Sequence, residues 1–128
     1  MTRTAVQAKV NKTAAFDGAS LDISAITGDW TLFLDVMDQT AGATTRFQFS
    51  DSVDAFTTTV AGPTFAVTGQ IGNPGGSNPV EPDTKRYTVT KRDFPDLRAG
   101  TASAVLRLSV TRITGASAGV TYQAFIEY

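Results

Sequence analysis

Carboxylates are the only candidates for acid–base chemistry in this sequence, because its 128 residues include no histidine and no cysteine. That removes the Ser–His triad, histidine- or thiolate-bound zinc, cysteine nucleophiles and disulfides together. Three carboxylate pairs stand close in sequence: Asp35 and Asp38, Asp51 and Asp54, Glu81 and Asp83. Glycoside hydrolysis needs its two carboxyls about 5 Å apart in retaining enzymes and wider in inverting ones. Sequence adjacency supplies neither spacing, since Asp35 and Asp38 would point to opposite faces of a strand. Asp also hydrogen-bonds its own backbone in turns. The acidic residues therefore read as turn-formers and solvated groups, with no catalytic residue among them and no enzyme expected.

Other ligands fare no better. Asp51-Ser52-Val53-Asp54 offers hard oxygens, but the Asp/Asn/Gly spacing of a calcium loop is absent. The glycines at Gly72 and Gly76 lack the Gly-Lys-Ser/Thr ending of a phosphate loop, and no helix follows them. No metal and no cofactor is expected. Lys85-Arg86 and Lys91-Arg92 flank Tyr87 and Val89, with Arg98 soon after, a stripe of the kind that holds single-stranded nucleic acid. Asp83, Asp93 and Asp96 neutralise it locally, and eleven basic against twelve acidic residues leave a net charge of −1. The basic pairs thus read as salt-bridged strand ends or contacts with an acidic partner protein, not as a nucleic-acid site. Phe33, Phe125 and Tyr128 fall opposite or just beyond the main apolar rows, where aromatics either stack on sugars or are buried in a core or subunit interface.

The elements that must position these residues are strands. Trp30, Leu32, Leu34 and Val36 share one face of an alternating run, with Thr31, Phe33, Asp35 and Met37 on the other. The second face is half apolar, so this strand should touch something on both sides. Phe47 and Phe49 alternate with Arg46 and Gln48; Tyr87 and Val89 with Arg86 and Thr88. Ala104, Leu106, Leu108 and Val110 oppose Arg107 and Ser109, and Val120, Tyr122, Ala124 and Ile126 close the chain. Further strands are expected over Phe56 to Val60, closed by Gly62-Pro63, and through Phe65, Val67 and Ile71. A short hairpin is expected over Ala15 to Ile23, turning at Asp17-Gly18. Phe94 to Gly100 reads as a corner. Nothing has helical spacing over a useful length.

About eight short strands with even spacing predict an all-β, antiparallel two-sheet sandwich of the jelly-roll type, without substantial helix. A hydrophobic fraction of 41 % over this length is enough for one self-sufficient core. The organisation expected is an N-terminal arm over residues 1–13, which pairs only when a partner is present, and one domain over 14–128. From that domain a Gly/Pro-rich loop protrudes at 72–82. The N-terminus has no apolar signal region, and no run reaches the length of a membrane span, so neither membrane nor export is expected. Low net charge gives little resistance to self-association.

The run Thr45-Arg46-Phe47-Gln48-Phe49-Ser50-Asp51-Ser52-Val53-Asp54-Ala55-Phe56 forms an RFxFxDSxDxF pattern. It is followed by Lys85-Arg86-Tyr87, the corner Phe94-Pro95-Asp96-Leu97-Arg98-Ala99-Gly100, Ala104-Val105-Leu106-Arg107-Leu108, and the ending from Val120 to Tyr128. Over residues 30–128 this resembles small structural proteins of tailed-bacteriophage virions. The resemblance implies a virion location and a capsid decoration or cement role, binding the major capsid protein or other virion proteins as a homo-oligomer, dimer or trimer. It carries no catalytic residues. The contact residues expected on this reading are Arg3, Val6 and Lys9 of the arm, Pro74, Asn78 and Pro79 of the loop, and Lys85, Arg86, Lys91 and Arg92. The competing readings are a tail or neck component and a carbohydrate-binding β-sandwich module.

Overall fold

The computed structural model describes residues 1–72, 84–115 and 119–128. Nine antiparallel strands are found among them: β1 (Arg3–Lys12), β2 (Phe16–Asp17), β3 (Leu21–Asp22), β4 (Thr31–Gln39), β5 (Thr44–Ser52), β6 (Val60–Thr68), β7 (Lys85–Thr90), β8 (Val105–Thr114) and β9 (Val120–Glu127). They form two sheets, β1-β9-β4-β7 and β2-β8-β5-β6, with β3 also pairing to β8. The order follows from one long antiparallel ribbon folded at β5–β6. In it β4 lies against β7, β2 and β3 against β8, and β1 against β9. Wrapping the ribbon brings β4 beside β9 and β5 beside β8, which is the jelly roll. β2 and β3 act as one broken strand.

The alternation read from the sequence becomes the core. Trp30, Leu32, Leu34 and Val36 are all 3 % exposed or less, and face Phe47, Phe49, Leu106 and Leu108 of the other sheet within one apolar cluster. Phe47 of β5 meets Tyr122 of β9 edge to face, with centroids 5.0 Å apart, tying the sheets together. Gln39, fully buried at the end of β4, donates its amide to the carbonyls of Val67 and Gly69, each at 2.9 Å. The corner after β7 is locked by a buried charge. The Oδ2 of Asp51 on β5 accepts from the Arg98 backbone N–H at 3.0 Å and from its guanidinium Nε at 3.1 Å.

Several local expectations are corrected. Residues 3–12 do not wait for a partner. They form β1, paired with β9 from Arg3↔Glu127 to Lys12↔Val120. The segment is polar because β1 is an edge strand with few inward positions, of which Val6 is the most buried at 5 % exposure. The Asp17-Gly18 hairpin is not formed, since β2 and β3 pair with β8 and not with each other. Gly18 serves close approach instead: its N–H reaches the Leu108 carbonyl at 2.9 Å, and a Cβ there would sit 2.7 Å from that oxygen. The strand expected over residues 56–60 is largely a turn, with Ala55 and Phe56 in the left-handed region at φ 55° and 62°. There the Phe56 ring lies under the Arg107 guanidinium, 4.0 Å from its centroid. Gly62-Pro63 does not end a strand but lies inside β6, an edge strand, at the irregularity where its pairing with β5 steps from Gln48↔Thr64 to Ser50↔Ala61. Apart from Gly72, the protruding loop at 72–82 lies outside the described residues.

Tyr122 yields a prediction. Its ring is fully buried, its hydroxyl has no hydrogen-bond partner among the described residues, and burial pushes its pKa from 10.0 up to about 12. Because the folded state holds the proton more tightly, this group's contribution is complete below pH 10 and is lost as pH rises towards 12. A shift of that size corresponds to a loss of about 3 kcal/mol. Tyr122→Phe is expected to match or exceed the parent's stability at pH 7 and to remove that part of the alkaline decline. Urea midpoints for both chains between pH 8 and 11.5 check it.

Candidate functional site

Strand pairing arranges the outer face of the β1-β9-β4-β7 sheet in three rows. Arg3, Glu127, Thr31 and Thr90 stand side by side across the four strands. The next row is Ala5, Phe125, Phe33 and Thr88, and the one after it holds Gln123, Asp35 and Arg86. An aromatic pair therefore lies between two rows that each contain an ion pair.

The geometry is tight. Phe33 and Phe125 stack with centroids 5.0 Å apart and planes 26° from parallel. The Arg3 guanidinium sits 4.0 Å above the Phe125 ring, and that of Arg86 lies 5.0 Å from Phe33 and 5.3 Å from Phe125. Both contacts are within cation–π range. Arg86 grips Asp35 with a fork, Nε to Oδ1 at 2.6 Å and Nη2 to Oδ2 at 2.9 Å, while Gln123 donates to Oδ2 at 3.2 Å. Arg3 is ion-paired to Glu127, with Nε 2.9 Å from Oε1. Where β1 slips register against β9, a hollow of about 340 Å³ opens over Ala5, Gln7, Gln123 and Phe125.

Asp35 is held below the usual carboxylate pKa, chiefly by its hydrogen bonds from Arg86, with Gln123 adding to the effect and burial opposing it. Arg86 is correspondingly raised, first by the same hydrogen bond. A carboxylate whose proton affinity is lowered, and whose oxygens are both engaged, is a poor general base. Among the described residues, no group of three or more acidic side chains is placed to hold a metal ion. Of the two rings on this face, Phe125 is 7 % exposed and lies under Arg3 and against Phe33.

The expected contact residues scatter over this frame. Arg3 and Arg86 are brought together on the face, about one aromatic pair apart. Lys85 and Lys9 are exposed on the two edge strands, and the Lys85 ammonium lies 5.7 Å from the Tyr87 ring. Lys91 and Arg92 border a separate hollow of about 300 Å³ beside Asp29 and Trp30, where Lys91 reaches the Gly28 carbonyl at 3.5 Å. Val6 points into the core and offers no surface, because its neighbours in β1 occupy the outward positions. Pro74, Asn78 and Pro79 lie outside the described residues. Sequence reading missed Asp35, Gln123 and Glu127 as members of the face. The available signal was the half-apolar second side of β4, where Phe33 and Asp35 share parity.

No protein family, curated protein or solved structure matches this chain.

Proposed function

We propose that this chain is a non-enzymatic structural protein of a phage virion, a decoration or cement component that fastens to the major capsid protein through the outer face of its four-stranded sheet. The observation that carries this reading is the stacked Phe33–Phe125 pair flanked by Arg3 and Arg86. Aromatic residues and arginine are the types enriched at the energetic centres of protein interfaces, and a polar rim around them excludes water. Both arginines are pre-positioned by their carboxylate partners, so little side-chain entropy remains to be lost on docking. The jelly roll is shared by viral capsid domains and by lectins, so it agrees with this role without selecting it. The RFxFxDSxDxF resemblance supplies the choice between them.

Purified protein mixed with undecorated heads is expected to co-sediment to a saturable ratio. Phe33→Ser should weaken binding at least tenfold while the melting temperature changes little, because Phe33 lies outside the core cluster. No co-sedimentation at micromolar protein would reject the role. Binding that is indifferent to Phe33→Ser would keep the role and move the contact elsewhere.

A further inference from the structure

The opposite outer face, on the β2-β8-β5-β6 sheet, places two arginines directly across from each other. Arg46 of β5 and Arg112 of β8 are cross-strand partners, and neither has an acidic side chain within ion-pair distance among the described residues. Like charges in such a position destabilise a sheet. The juxtaposition is produced by a bulge. Phe47 pairs with Val110 and Arg46 with Arg112, so Thr111 is an extra residue that advances Arg112 to face Arg46. Thr111 stays in place by donating its hydroxyl to the Arg46 carbonyl at 3.3 Å. Bulges commonly re-aim a side chain at a functional position.

Hydroxyls complete the surroundings. The next cross-strand pair on this face is Thr44 and Thr114, and with the two arginines they line an open hollow of about 230 Å³. Their present hydrogen bonds are long: Thr114 Oγ1 donates to the Thr44 carbonyl at 3.4 Å, and Thr44 Oγ1 lies 3.5 Å from Thr68 Oγ1. Both protons are available to a better acceptor. Two guanidinium forks and two hydroxyls match an acceptor with several oxygens and two negative charges.

We propose that Arg46, Arg112, Thr44 and Thr114 form a binding site for a tetrahedral oxyanion of the phosphate or sulfate class. A carboxylate would neutralise only one of the two arginines and leave the repulsion half relieved. The site is independent of the four-stranded face and of the virion role.

The test uses the full chain, melted in phosphate, sulfate, acetate or chloride at matched ionic strength and pH 7.5. At ten times the half-saturating concentration, phosphate or sulfate should raise Tm by about 4 °C, with acetate and chloride giving little. Arg46→Gln and Arg112→Gln should each weaken phosphate binding at least tenfold by calorimetric titration. In chloride, without phosphate or sulfate, each should melt at or above the parent temperature, since the like-charge pair is gone. The opposite signs with and without phosphate separate a binding site from a bulge that merely turns Ile113 towards the core. An equal response to phosphate and chloride, or an undiminished phosphate response in both variants, overturns the proposal.

Discussion

Arg98→Ala is expected to remove about 3 kcal/mol of folding stability, a large fraction of what a domain of this size possesses. The Asp51 side chain is 0 % exposed, and both donors to its carboxylate come from one residue: Arg98 gives Oδ2 a backbone N–H and a guanidinium N–H, while Oδ1 has no partner among the described residues. Without the guanidinium the buried carboxylate keeps a single N–H donor, and leaving it so poorly paired costs free energy. Arg98 keeps 31 % of its side chain exposed, so the asymmetry lies with Asp51. The cost falls on the whole fold because Arg98 belongs to the corner that inserts Phe94 and Leu97 into the core. Adding Asp51→Asn to Arg98→Ala removes the stranded charge and should recover about 1 kcal/mol. Urea denaturation of the parent, both single variants and the double variant gives the coupling directly. A loss below about 1 kcal/mol for Arg98→Ala, or a double variant no more stable than Arg98→Ala, would show that the pair does not hold the corner.

This pair also marks where sequence reading stops. The corner from Phe94 to Gly100 is visible in the sequence from its Phe-Pro and Ala-Gly punctuation, and Asp51 is visible as an acidic residue at a strand end. That one is anchored by the other is not, because the two lie 47 residues apart and meet only when β5 and the corner pack. The same holds on the four-stranded face. Parity puts Phe33 and Asp35 together on the second side of β4, yet Arg86 and Gln123 reach Asp35 from two different neighbouring strands. Inward rows survive translation into structure because alternation is local and burial rewards it; Leu106, Leu108, Tyr122 and Ile126 are all fully buried. Turn chemistry is less legible. Phe56 looks like a strand residue by type, but Ser52 Oγ accepts its N–H at 2.9 Å and the Asp54 carboxylate takes the Thr58 N–H at 2.9 Å, and these bonds fold the segment into a turn. The Thr111 bulge leaves no trace in the sequence, since it depends on register between β5 and β8.

Deleting residues 2–12 should have the largest effect of any change considered, and it separates an arm from a built-in strand. An arm that orders only on assembly is dispensable to the isolated domain, and its loss would shift Tm by a few degrees at most. β1 is placed otherwise. It covers the whole of β9, contributes Val6 to the core, and packs Val10 against it. Burying a valine accounts for about 1.5 kcal/mol or more by itself. The larger loss is the ladder, because β9 would become an edge strand that still carries Tyr122, Phe125 and Ile126. An unpaired, apolar edge of that length recruits other chains. The truncated protein is therefore expected to melt at least about 15 °C lower or without a cooperative transition, and to self-associate by sedimentation velocity. A synthetic peptide of residues 1–13, added in excess, should pair with the open edge and restore both the transition and the monodisperse state, as strand donation does elsewhere. Cooperative melting within a few degrees of the parent, with no response to the peptide, would return these residues to the status of an arm.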